Sequence, residues 1–156
     1  MLFRSCYYTS EMACPYFDPV RPRTIAIGAP GAMLPLGDSW LGLCRATAGQ
    51  PWEPNQASLA ALCNLGYARG SCPRFPAEEG DRGPDAVRFT ISHDDGCSVE
   101  VCYVVERDHH PFAHGGLEFS RAVAAFIAPP PAETLHRQAL AYITSYLRRK
   151  AEAAGS

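Results

Sequence analysis

Four cysteines spread over the first half of the chain are the residues best suited to chemistry. They are Cys14, Cys44, Cys63 and Cys72, separated by 29, 18 and 8 residues. Cys14 and Cys72 are each followed by proline, which removes a backbone N–H beside the sulfur and stiffens the turn. Thiolates placed at separate points of a chain can converge on one metal ion or one metal cluster. This cysteine quartet is therefore the candidate site.

Zinc and iron–sulfur clusters both use four thiolates. Structural zinc sites usually contain cysteines only about two to four residues apart, whereas the shortest gap in the quartet is 8 residues. Widely separated ligands suit the larger 4Fe–4S cube, whose thiolates approach from different sides. We predict a 4Fe–4S cluster on the quartet. One zinc ion on the same ligands is the alternative, and four buried thiols without metal are the third interpretation.

The remaining cysteines are not expected to bind the metal. Cys6 falls in residues 1–11, which we predict to be a disordered extension before the organised sequence starts at Met12. Cys97 and Cys102 fall in a predicted strand, where each is most simply a small apolar residue of the core. Five residues of strand place them roughly 16 Å apart, and a disulfide needs Cα atoms within about 7 Å. They cannot pair with each other.

Length, composition and charge predict a single globular domain. The chain has 156 residues, of which 47% are hydrophobic and 19% charged, and its net charge is −2. The basic run 148–150 ends a predicted helix, where cations favour the macrodipole, so we expect no nucleic-acid partner. No stretch reaches the ~18 apolar residues of a membrane helix, and residues 1–11 lack a signal-peptide core. We expect a cytoplasmic protein, where cysteines seldom form disulfides.

Residues 12–84 are predicted to form a loop-rich lobe that carries the quartet. The one clear helix signal there begins with Asn55 as N-cap and ends at Gly66. Leu59 and Cys63 share one face at helical spacing, so Cys63 is expected in the last turn, facing inward. Metal binding can contribute on the order of 10 kcal/mol of folding free energy, and we expect it to order this lobe.

Residues 85–156 are predicted to form a sheet and a helix. Alternating apolar residues over 86–106 indicate a β-hairpin. A third strand is expected to begin near Leu117 and to give way to a short helix. A stripe at helical spacing predicts a C-terminal helix over 132–152, whose solvent side carries Arg137, Gln138, Ser145 and Arg148. The fold class is predicted to be α+β, with the antiparallel sheet, the helix and the cysteine lobe in one compact domain.

Three histidines after the hairpin form a second candidate site. His109, His110 and His114 could bind a metal, with Asp108 as an oxygen ligand. A polar loop is the simpler interpretation, because no His-Glu-x-x-His pattern accompanies them. An enzyme built on this loop is the least favoured function, since four cysteine ligands leave no open metal position for a substrate.

Several segments carry a resemblance to a group of bacterial proteins. They are Cys-Pro-Tyr-Phe at 14–17, Leu-Pro-Leu-Gly-Asp at 34–38, Cys-Asn-Leu-Gly-Tyr-Ala-Arg-Gly-Ser-Cys-Pro-Arg-Phe-Pro at 63–76 and Asp-Ala-Val-Arg-Phe at 85–89. Over most of residues 12–125 the chain resembles uncharacterised bacterial proteins with this four-cysteine pattern. The resemblance implies a shared cysteine site and nothing about a substrate.

A protein with this predicted cluster could have one of three roles. They are electron transfer, redox sensing and cluster-stabilised binding of a partner, which would be another protein or a second copy of the chain. With zinc, the same fold would be a protein-interaction module without redox activity.

Overall fold

The computed structural model describes residues 12–23, 34–47, 49–76 and 83–155. Two antiparallel sheets and a C-terminal helix confirm the α+β class. The elements are β1 (Phe17–Pro22), β2 (Trp40–Cys44), α1 (Gln56–Ser58) with a π-helical turn directly after it (Leu59–Cys63), β3 (Ala86–Asp94), β4 (Ser98–Arg107), β5 (His110–Ser120), β6 (Ala125–Phe126) and α2 (Glu133–Ala154).

The larger sheet has the strand order β3-β4-β5-β6. Strands β3 and β4 pair from Ala86 opposite Glu106, so the predicted hairpin is confirmed. Strand β5 starts at His110 rather than near Leu117, because a two-residue turn returns the chain directly alongside β4. The predicted short helix is wrong. Ala124, with φ 54°, helps reverse the chain into β6 instead.

Helix α2 packs on the sheet and also on β1. The ring of Tyr142 lies 5.8 Å from the ring of Phe89 on β3. Gln138 and Ser145 are each 1% exposed, so the prediction that they face solvent is wrong. The buried side of α2 is wider than its apolar stripe, because the helix contacts the cysteine lobe as well as the sheet. Within the described residues, no helix is long and apolar enough to span a membrane.

One hydrophobic core joins the cysteine-bearing segments to the sheet. Phe17 and Leu36, from the first half, are 1% and 0% exposed. They belong to the same packed cluster as Val99 and Val101 of β4 and Ile143 of α2. Because this core is continuous, displacement of the cysteine lobe would also disturb the packing of the sheet and of α2.

A tight turn over residues 34–38 docks the cysteine lobe onto α2. Leu34 and Gly37 exchange two backbone hydrogen bonds, of 3.1 and 2.8 Å. Gly37 has φ +86°, and a Cβ placed on it would lie 2.3 Å from Cβ of Ser145. Asp38 then binds the guanidinium groups of Arg148 and Arg149. Position 37 therefore requires glycine both for its backbone conformation and for the close approach to the helix.

The first prediction concerns this contact. Gly37→Ala should lower the free energy of unfolding by about 2–4 kcal/mol, because left-handed strain and overpacking add. Gly49→Ala is the matched control: Gly49 has φ +73°, and a Cβ at this position would meet nothing within 4 Å, so it should lose only about 1–2 kcal/mol. Urea unfolding of both variants makes the comparison. Equal losses would show that Gly37 does not mediate helix docking.

Candidate metal centre

Cys14 sits in a turn that leads into β1. Its thiol accepts a hydrogen bond from the backbone N–H of Tyr16, while its carbonyl accepts one of 3.2 Å from the N–H of Phe17. The N–H of Cys14 donates to the carbonyl of Cys63 at 3.2 Å. Pro15 has no N–H to compete for the sulfur. This turn thus presents a buried thiol, 8% exposed, and links it directly to the segment of Cys63.

Cys63 ends the π-helical turn. The predicted N-cap is confirmed, since the side chain of Asn55 accepts from Ser58 N–H at 2.8 Å. The α-helical part is only three residues long, after which the chain widens to π geometry, and such turns are frequent at functional sites. Cys63 is 9% exposed, as expected for an inward-facing thiol.

Asn64 locks this helix end to β2. Its side-chain oxygen accepts from the N–H of Trp40 at 2.8 Å, and its side-chain N–H₂ donates to the carbonyls of Trp40 and Leu59, both at 3.0 Å. The residue is 1% exposed, and burial of an amide costs little when its groups are bonded in this way. The position of Cys63 is therefore fixed through its neighbour Asn64.

Cys44 lies at the end of β2, directly opposite Phe17 of β1. It exchanges backbone hydrogen bonds of 2.7 and 3.0 Å with Trp52. The N–H of Arg45 donates to the carbonyl of Tyr16 at 2.9 Å. These ladder contacts hold Cys44, which is half-buried, beside the Cys14 turn.

Cys72 closes the loop of residues 64–71, here called the cysteine loop. The N–H of Gly66 donates to the carbonyl of Met12 at 3.0 Å, and the N–H of Cys72 donates to the carbonyl of Ala68 at 2.7 Å. Cys72 is half-buried and borders a concavity of about 540 Å³. The residues that line it are Arg69, Gly70, Ser71, Cys72, Pro73, Phe75 and Pro76. Cys72 is the member of the quartet that lines this solvent-open concavity.

Burial suppresses the ionisation of the two innermost thiols of the quartet. Burial raises the pKa of Cys14 to about 12; the N–H of Tyr16 lowers that pKa, and the charges of Cys63, Cys44 and Cys72 raise it further. Burial, followed by the charges of Cys44 and Cys72, raises the pKa of Cys63 to about 12 as well. Neither thiol ionises at neutral pH without a positive partner. A bound cation would supply that partner and displace the protons.

No group of three or more Cys, His, Asp or Glu side chains, in the part of the chain that the structure describes, is arranged to hold one metal ion. His109 lies in the β4–β5 turn, stacked on Tyr67 at 4.0 Å. His110 and His114 are exposed on β5 rather than in the expected loop. The metal on the quartet stays a prediction, supported by the backbone contacts between the segments that carry Cys14, Cys44 and Cys63.

The other cysteines lie away from the quartet. Cys97 is exposed, so its assignment to the core is wrong. It belongs to the β3–β4 turn, where the carboxylate of Asp95 accepts its N–H at 2.8 Å. Cys102 is half-buried in β4, opposite Gly116 of β5. Cys6 lies outside the described residues.

Sequence reasoning missed the residue that anchors the Cys14 turn to α2. The side-chain amide of Gln138 donates to the carbonyls of Cys14 and Phe17, at 2.9 and 2.8 Å. Its only sequence signal is a polar residue beside the apolar stripe of α2, which by itself indicates a solvent-facing position. The carbonyls that make its burial favourable are 121 and 124 residues distant along the chain.

A buried carboxylate next to the quartet was also missed. Asp18 of β1 is 2% exposed and binds Arg45 Nε at 2.6 Å and Arg137 at 2.9 Å. Arg137 also binds the carboxylate of Glu133 at 2.6 Å, so two guanidinium groups are balanced by two carboxylates in this cluster. The ion pairs hold β1, which follows the Cys14 turn, to the residue after Cys44 and to α2.

Comparisons with family models, curated protein sequences and solved structures give no significant match.

The second prediction is an order of thiol reactivity. After chelation of any metal, iodoacetamide should modify Cys97 first, then Cys44 and Cys72, and Cys14 last, because thiolate content and exposure control alkylation. The rate at Cys14 should keep rising as the pH approaches 12, in line with its raised pKa. Mass spectrometry of peptides from timed samples gives each rate. Modification of Cys14 as fast as Cys97 at neutral pH would contradict the buried position of the Cys14 turn.

Proposed function

We propose that the protein binds one 4Fe–4S cluster through Cys14, Cys44, Cys63 and Cys72 and uses it in electron transfer, redox sensing or cluster-stabilised binding of a partner. The observation that carries the proposal is the backbone pairing of the cysteine-bearing segments: the N–H of Cys14 donates to the carbonyl of Cys63, and Cys44 lies opposite Phe17 of β1. The cysteines come from four separate segments of the chain, and Cys14, Cys63 and Cys72 belong to or pack against one core cluster.

Local geometry around the thiols supports the choice of a cluster. The N–H of Tyr16 donates to the sulfur of Cys14, and hydrogen bonds to ligating sulfurs help set the reduction potentials of iron–sulfur clusters. Approach from four segments suits a cube whose four iron atoms, at alternate corners, each bind one thiolate, better than it suits one compact ion.

The proposed role depends on access to the cluster. Cys14 and Cys63 are buried, whereas Cys72 is half-buried beside the open concavity. Electrons or a partner protein would therefore reach the cluster from the Cys72 side. We propose that the protein works in the cytoplasm, with another protein or a second copy of the chain as its partner. A zinc ion on the same cysteines would instead make the protein a stapled interaction module.

The third prediction is the composition of the purified protein. Anaerobic protein should be brown and should contain about four iron and four sulfide per chain, as a 4Fe–4S cluster requires. Reduction with dithionite should bleach the colour and give the paramagnetic signal of a reduced cluster. Colourless protein with one zinc per chain would replace the cluster with the interaction module. Protein with neither metal would refute the proposal.

Serine variants test the ligand set in the same assay. Cys14→Ser, Cys44→Ser, Cys63→Ser and Cys72→Ser should each lose most of the iron, because serine is a poor ligand for this cluster. Cys97→Ser is the matched control: its exposed site should change stability by no more than ~0.5 kcal/mol and should leave the iron in place. Loss of iron in Cys97→Ser or Cys102→Ser would show that the ligand set is wrong.

A further inference from the structure

The turn between β4 and β5 holds two residues in an uncommon backbone conformation. Asp108 has φ 53° and His109 has φ 62°, the left-handed region that residues other than glycine seldom occupy. Positive φ at both central residues suits a two-residue hairpin turn. Asp and His enter this region more readily than most other residues, and contacts with the surrounding structure help to hold both of them in it.

Those contacts come from the cysteine loop. The hydroxyl of Tyr67 accepts the N–H of His109 at 2.9 Å, and the two rings stack with centroids 4.0 Å apart. Arg69, two residues further on, contacts the carboxylate of Asp108 at 3.4 Å. The loop therefore contacts both the backbone and the side chains of the turn.

The buried carboxylate of Asp85 contacts both the cysteine loop and the β4–β5 turn. Asp85 is 1% exposed. Its oxygens lie 3.1 Å from Arg69, and one of them accepts the N–H of Asp108 at 2.7 Å. A shift of Arg69 would leave Asp85 with less of its charge compensated, and the bond from Asp85 to the turn would change with it.

In the sequence, Tyr67 and Arg69 lie between two of the proposed ligands, Cys63 and Cys72. We infer that these two side chains couple the state of the cysteine loop to the conformation of the Asp108–His109 turn. The inference rests on the proposed function. With metal on both cysteines the loop is fixed at both ends and holds the turn; with the metal removed, the loop loosens and releases it.

A partner protein could contact the Asp108–His109 turn directly and so respond to whether it is ordered. The side chain of Asp108 is 65% exposed, and His109 is exposed as well. A protein that contacts these groups would meet an ordered turn on the loaded protein and a mobile one on the empty protein. By thermodynamic reciprocity, a partner that binds the ordered turn would strengthen metal retention by the same factor.

Amide hydrogen exchange of the full-length protein, before and after chelation, tests the coupling. The amides of Asp108 and His109 should exchange about tenfold faster or more after metal removal, as the loss of their two hydrogen bonds implies. The amides of Val101 and Val104 should lose much less protection, because β4 is paired with β3 and with β5 on its two sides. An unchanged turn, or equal loss of protection in turn and strand, would overturn the inference.

Two hydroxyl deletions test the coupling without metal removal. In the loaded protein, Tyr67→Phe should speed exchange at His109 and shorten the lifetime of the bound metal. Tyr146→Phe is the matched control, because its hydroxyl binds Asp94 at the opposite end of the sheet, and it should change neither quantity. No difference between the variants would overturn the inference. Iron and zinc assays on the same samples separate a failure of this inference from a failure of the proposed function. Protein that contains no metal refutes the proposed function. Exchange at His109 in Tyr67→Phe still decides whether the cysteine loop holds the turn.

Discussion

The hydrogen bond from the N–H of Cys14 to the carbonyl of Cys63 joins the segments of the two most buried thiols of the quartet. The amide of Gln138 holds the same Cys14 turn from the other side, through the carbonyls of Cys14 and Phe17. The start of β1, the end of the π-helical turn and the N-terminal part of α2 thus meet at one turn. Each depends on the others, because these polar groups are buried and would lose their partners together.

Two buried carboxylates extend this arrangement. Asp18 joins β1 to Arg45, next to Cys44, and to Arg137 of α2. Asp85 joins the start of β3 to Arg69 of the cysteine loop and to the β4–β5 turn. In both cases one desolvated charge is compensated from two separate segments of the chain. A change in the cysteine lobe therefore reaches the sheet and α2 through specific ionic contacts as well as through the shared core.

Local patterns predicted the elements whose formation depends on neighbours in sequence. Alternation of apolar residues was sufficient for the β3–β4 hairpin, and the side chain of Asn55 for the start of the first helix. The start of β5 was not predictable, because Asp108 and His109 adopt positive φ through contacts with Tyr67 and Asp85. Residue type identified the quartet, but the burial of Gln138 depends on carbonyls more than 120 residues away.

X-ray absorption at the iron edge, on anaerobically purified protein, tests the central claim most directly, because it reports the atoms bound to the metal. Four thiolates around a 4Fe–4S cluster predict a first shell of sulfur alone and a second shell of neighbouring iron. A first shell that contains nitrogen or oxygen, or sulfur without neighbouring iron, would contradict the assignment of the cluster to Cys14, Cys44, Cys63 and Cys72.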